Sequence, residues 1–180
     1  MKHSREFEIA FVGLKPGIHV FEYNIDSQFF DRFGEVEFAN PQLNIQLTLD
    51  KKSGIFLLHF NINGKVSLPC DRCGDDFELN IWDEFDLVVK QIDDELVAEK
   101  SEADAEVAYI GRSESILEVS TWIYEFVLLS IPMQHIHPDN ESGESTCNPE
   151  ALKYLTQPES SISQDWKEQL EQLQNKKNKN

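Results

Sequence analysis

The 180-residue chain has few cysteines, few basic residues and no long apolar run. Three cysteines, an odd number, do not make a disulfide framework. Sixteen Lys and Arg against 33 Asp and Glu give a formal net charge of -17, which repels phosphate and anionic lipid and excludes non-specific coating of RNA, DNA or membranes. The apolar stretches are shorter than the ~20 residues of a membrane span. We also expect no signal peptide behind Met1, and therefore a soluble, cytoplasmic protein.

The negative charge is concentrated in one window of the sequence. Residues 75–106 carry thirteen acids and two bases, a net charge of -11, whereas residues 1–74 have a net charge of only -1. Such a window attracts a basic protein surface. The 40% of apolar residues and the twelve phenylalanines indicate a folded core despite this charge.

Apolar residues alternate with polar ones through most of the first 90 positions, which predicts strands. The pattern predicts a three-stranded antiparallel meander with one buried and one wet face, and it places Glu78, Glu84 and Asp86 on the wet face. Gly64 keeps the alternation and marks a bulge or close contact. The apolar sets are Phe7–Phe11, His19–Ile25, Leu43–Leu49, Phe56–Leu68 and Phe77–Val89.

Helical patterns are fewer. Asp26 is expected to cap a short helix that ends at Gly34, and Ser115 with Glu118 forms a capping box for a long helix from Ile116 to Ile131 that packs on the sheet. Residues 92–106 lack an apolar stripe and indicate a mobile loop before a short strand at Val107–Ile110. Asn148-Pro149 predicts a short helix through Tyr154, and Trp166, Leu170 and Leu173 predict another.

These patterns together predict an α+β fold, with a predominantly antiparallel meander or barrel-like sheet, one long packed helix and short C-terminal helices. Residues 1–155 are expected to form a single domain, and residues 156–180 a linker with a marginal helix and tail.

The chemistry-bearing feature is the Cys-x-x-Cys of Cys70 and Cys73, which joins two strong strand patterns and is followed by Gly74. A tight turn brings the two sulfurs to one point, as in zinc knuckles. Thioredoxin-like redox chemistry would place the second cysteine in a helix, which does not fit a strand after Cys73. Cys147 could supply a third ligand and His137 or His135 a fourth, so that a metal would clip the C-terminal segment to the meander. A zinc site and a metal-free turn with packed cysteines both remain open.

The order of motifs resembles the YceD family of bacteria and plastids, the large ribosomal RNA subunit accumulation proteins. The similar features are Cys70-Asp71-Arg72-Cys73-Gly74, an acidic stretch, a helix with Glu125, Leu128 and Leu129 that ends at Pro132, and then His137 and Cys147. The resemblance covers about residues 55–147.

The resemblance implies a non-enzymatic factor that supports the synthesis, processing or accumulation of large-subunit (23S) ribosomal RNA. Many relatives carry additional cysteines after the Leu-Pro element (Leu128 to Pro132), which is consistent with a metal knuckle, whereas this chain has only Cys147 there. The candidate metal ligands are Cys70, Cys73, Cys147 and His137, and the candidate metal is Zn²⁺. The resemblance and the acidic window of residues 75–106 together favour a basic large-subunit ribosomal protein or a preribosomal particle as the partner. Direct RNA binding through the nearly neutral N-terminal half is the alternative, ahead of a thiol- or metal-dependent enzyme.

Overall fold

The computed structural model describes residues 5–103 and 107–155, without the side chains of residues 101–103. The predicted helix around Trp166 and the predicted linker before it lie outside these residues. The chain divides into two compact units. The larger is made of the described residues up to Pro69 and of Asp76–His135, and the smaller of Cys70–Asp75 and the described residues from Ile136 onward.

The larger unit contains a five-stranded sheet, whose strands lie in the order β2 (Gly17–Ile25), β3 (Ala39–Lys52), β4 (Ile55–Pro69), β5 (Asp76–Ile92) and β6 (Val107–Gly111). The first four strands are antiparallel neighbours, which confirms the meander, and β6 runs parallel to β5. Among the described strands the sheet stays open, with β2 and β6 at opposite edges, so the barrel-like alternative is wrong.

Alternation along the strands builds one continuous core face, because side chains of paired residues point to the same side of a sheet. Leu47, for example, pairs with Phe60, which pairs with Phe85, and the first two are fully buried. Gly64 has φ +143°, and a Cβ there would overlap the backbone carbonyl of Gln42, next to a register shift in β3. The predicted close contact at Gly64 is therefore confirmed.

The long helix is shorter than predicted. The helix α3 covers only Ser120–Leu129, while Leu117–Glu118 forms the strand β7, antiparallel to β1 (Glu8–Ile9). The Val119 N–H also donates to the Phe7 carbonyl at 3.0 Å, so backbone pairing with residues 7–9 holds Leu117 and Glu118 extended against their helical pattern. The predicted capping box is wrong, since Glu118 accepts from the Ser120 N–H instead. Phe126 of α3 stacks on Phe85 at 4.6 Å.

Residues 94–103 are helical rather than the predicted loop. A 3-10 turn at Asp94–Leu96 leads into α2 (Val97–Ala103). The Asp94 carboxylate accepts from the N–H and the hydroxyl of Ser113, at 3.2 and 3.0 Å, and Asp93 pairs with Arg112 at 3.1 Å. The partners in these contacts are about twenty positions away in the sequence, so a local sequence pattern could not predict them.

Two shorter helices follow their predicted caps. The Asp26 carboxylate accepts from the Gln28 N–H at 2.9 Å and begins α1 (Ser27–Phe30), which ends before the predicted Gly34. Asn148 accepts from the Glu150 N–H at 2.9 Å and begins α4 (Pro149–Leu155) in the smaller unit.

Candidate metal centre

The Cys-x-x-Cys lies in a tight turn that follows β4 and precedes β5 along the chain. The Gly74 N–H donates to the Cys70 carbonyl at 2.8 Å, and the Cys70 N–H donates to the Asp75 carbonyl at 3.0 Å. Gly74 has φ +80°, a left-handed conformation that a glycine adopts without strain. The Arg72 N–H donates to the Cys70 sulfur at 3.4 Å. The turn therefore directs a backbone donor at the Cys70 sulfur, which favours the thiolate form that binds a metal.

A second turn brings His137 and Cys147 together. Asp139 and Ser145 form an antiparallel bridge, and the Asn140 N–H donates to the Glu144 carbonyl at 2.8 Å. The Asn140 side chain also accepts from the Glu144 N–H at 2.8 Å. This small hairpin reverses the direction of the chain. As a result, His137 Nδ1 and Cys147 Sγ are only 3.8 Å apart although the two residues are ten positions apart in the sequence.

Polar side chains join the two turns within the smaller unit. Arg72 donates to the Ser145 hydroxyl at 3.1 Å, and Asn148 donates from its amide to the Asp75 carboxylate at 3.0 Å. The Ser145 oxygen accepts from the Cys147 N–H at 3.3 Å as well. Sequence reasoning missed these supporting residues, although the Asn148 cap marked one of them.

Cys70, Cys73, His137 and Cys147 converge on one point, with all four ligand atoms within 4.8 Å of one another. The Cys70 and Cys147 sulfurs are 3.7 Å apart, and the Cys73 sulfur lies 3.5 Å from His137 Nδ1. Tetrahedral zinc with bonds of about 2.3 Å to sulfur and about 2.05 Å to nitrogen gives ligand separations of about 3.8 and about 3.6 Å. The three cysteines and one histidine could therefore hold a metal ion.

The environment of the sulfurs also suits a cation. Cys70 and Cys147 are buried, whereas Cys73 and His137 are half-buried. Burial raises the pKa of the Cys70 thiol, but hydrogen bonds from His137, Cys73 and Arg72 outweigh it and lower that pKa from 9.0 to about 6. Burial raises the pKa of Cys73, hydrogen bonds from the Asn148 and Asp75 backbone oppose this, and the adjacent Cys70 and Cys147 sulfurs raise it again, so that the pKa is raised overall. Three sulfurs this close need a shared cation to be thiolates together.

Comparison with protein-family models gives one result. Residues 58–174 match the model of the large ribosomal RNA subunit accumulation protein YceD, and this region includes all four residues of the cluster. The chain belongs to the YceD family. Comparisons with curated proteins and with solved structures gave no match.

The family description gives this YceD protein a role in the accumulation of large-subunit ribosomal RNA and names no reaction. Within residues 5–103 and 107–155, no helix is both long and apolar enough to cross a membrane.

His135 is the other candidate for the fourth ligand of this YceD protein, and it is not among the four residues of the cluster. His135 belongs to the larger unit and lines a groove there. In the described part of the chain, only the Cys70, Cys73, His137 and Cys147 group has the geometry to hold a metal.

Proposed function

We propose that this chain is a non-enzymatic ribosome-biogenesis factor that supports accumulation of large-subunit ribosomal RNA by binding a basic ribosomal protein or a preribosomal particle in the cytoplasm. The observation that carries the proposal is the match of residues 58–174 to the YceD family. The binding partner and the mode of binding are inferred from the charge distribution.

The exposed acids of β5 and of the helical segment after it support a basic partner. Glu78, Glu84 and Asp86 are exposed on β5, where Lys65, Asn61 and His59 of β4 partner them. Two further acids, Glu95 and Glu99, are exposed at the start of the helical segment. Acidic surfaces of this kind steer Lys- and Arg-rich proteins and speed their encounter.

We further propose that Cys70, Cys73, Cys147 and His137 bind Zn²⁺ as a structural centre. Four protein ligands fill a tetrahedral zinc site, whereas catalytic zinc keeps a position open for water or substrate. A closed centre supports a binding role for the protein rather than catalysis. Its function would be to fix the two turns of the smaller unit.

The partner proposal is tested by capture of purified large-subunit ribosomal proteins on the immobilised full chain at low and high salt. The variant Glu95→Gln/Glu99→Gln removes two exposed acids, and Glu22→Gln/Glu125→Gln is the matched control on β2 and α3. Asp93 and Asp94 stay unchanged, because they hold Arg112 and Ser113.

We expect capture that weakens with salt and a dissociation constant raised about 5- to 30-fold by the first variant, from two surface charges worth roughly 0.5–1 kcal/mol each. The control should bind like the wild type. Equal binding by both variants at every salt concentration would contradict the electrostatic contact. If the full chain alone, with no ribosomal protein present, shifts large-subunit RNA fragments in a gel-shift assay, direct RNA binding would be favoured instead.

A further inference from the structure

An apolar groove of about 340 Å³ lies in the larger unit, beside the C-terminal end of α3. Phe38, Leu68, Tyr124 and Leu128 contribute to its lining, and so does the exposed Met133. The volume falls in the range of pockets that bind small ligands or the anchoring side chains of peptides.

Aromatic contacts hold two of the lining residues in place. The ring of Tyr124 stacks on Phe33 with centroids 4.3 Å apart and planes 10° from parallel. Phe38 is buried and meets the Phe30 ring edge-on at 5.0 Å. A site whose walls are already fixed loses less conformational entropy on binding than one that must first be ordered.

The groove is lined by part of the Leu128–Pro132 segment, which contributes neither to the metal centre nor to the acidic face of β5. Leu128 and Pro132 both line it, and Leu128 is 37% exposed although it is apolar. Met133 is fully exposed at the same place. An exposed methionine is adaptable and is common on surfaces that bind apolar peptide side chains.

The charge of the groove indicates which peptides fit. Glu35 and Glu37 are exposed and lie in the lining, and among the described residues that form it there is no lysine or arginine. An apolar anchor with acidic flanks is complementary to an apolar side chain with basic neighbours.

We infer that this groove binds an apolar side chain of a Lys/Arg-rich peptide segment in the partner protein. The inference rests on the proposed function, and it gives the basic partner a specific docking point in addition to the acids of β5 and α2. The apolar anchor supplies affinity, while Glu35 and Glu37 select the basic flanks.

The test uses fluorescein-labelled twelve-residue peptides and the full chain in fluorescence anisotropy. The first peptide carries a Leu and a Phe three positions apart between lysines. The second has both replaced by Ser, and the third has the lysines replaced by Glu. Met133→Lys alters the groove, and Leu129→Lys is the matched control, since Leu129 is 67% exposed next to the groove but does not line it.

We expect only the first peptide to bind, at least tenfold weaker binding by Met133→Lys, and less than a twofold change for Leu129→Lys. Glu35→Lys/Glu37→Lys should also weaken binding, more at low salt than at high salt. The inference would be overturned if the Leu/Phe peptide and the Ser peptide bound equally well. It would also be overturned if Met133→Lys and Leu129→Lys changed binding by the same factor.

Capture of large-subunit proteins separates this inference from the proposed function. If the wild type captures them and Met133→Lys captures them equally, the groove is not the docking point, and the function stands. If the wild type captures none, the proposed function fails. A concentration-dependent dimer in sedimentation that Met133→Lys abolishes would assign the groove to a second copy and would also overturn the inference.

Discussion

Removal of the metal from the proposed zinc centre should lower the thermal stability of the protein substantially. The centre links Cys73 to His137 across 64 positions of sequence. Closing a loop of that length removes unfolded-state entropy equivalent to about 4 kcal/mol in the chain-entropy treatment of cross-links. For a protein of this size, 1 kcal/mol changes Tm by about 2–4 °C, so a fall of about 8–16 °C is expected.

The measurement is thermal unfolding by circular dichroism before and after a zinc chelator, with metal content determined on the same samples. We expect one zinc per chain before treatment and none after. Cys147→Ser is expected to lose zinc and to melt near the chelated wild type, and the chelator should change its Tm little. Ser145→Ala, which removes only the Arg72 and Cys147 hydrogen bonds, is expected to keep its zinc.

A protein that contains no metal, exposes three titratable thiols and melts at the same temperature with and without chelator would refute this reasoning. The cysteines would then only pack in the turn.

Two further predictions concern the larger unit. Gly64→Ala should lower the free energy of unfolding, measured by urea denaturation, by about 1–3 kcal/mol, because φ is +143° and the Gln42 carbonyl occupies the space of a Cβ. A decrease of less than about 0.5 kcal/mol would contradict the close contact. Burial, then the charges of Glu6 and Glu118, raise the pKa of Tyr23 to about 12 from 10.0. Wild-type stability should therefore hold below pH 10 and fall as pH rises toward 12. In Tyr23→Phe, the part of the stability loss above pH 10 that comes from this tyrosine should disappear. The free energy of unfolding at neutral pH should also rise by about 1 kcal/mol, since the buried hydroxyl has no hydrogen-bond partner among the described residues. A stability–pH profile identical to that of the wild type would contradict this prediction.

The strands could be read from the sequence because their signal is local and repeated. Alternation over Leu43–Leu49 and Phe56–Leu68 places consecutive side chains on opposite faces, and a one-residue slip would expose the whole apolar set. The helix from Ile116 could not be bounded in this way. Its first residues pair with Glu8 and Ile9, more than a hundred positions earlier, and that tertiary pairing overrides the helical pattern.

The candidate site divides along the same line. Spacing alone identifies Cys70 and Cys73, because both belong to one turn. Cys147 and His137 carry no local signal that links them to that turn, and the choice between His135 and His137 depends on where the chain runs after α3. The structure brings His137 to the cysteines and places His135 in the groove of the larger unit.

The most direct measurement of the central claim is the ratio of large- to small-subunit ribosomal RNA in cells depleted of this protein. The account predicts that the ratio falls and that the wild-type chain restores it, while a Cys70→Ser/Cys73→Ser chain restores it less. An unchanged ratio after verified depletion would contradict a role in large-subunit RNA accumulation.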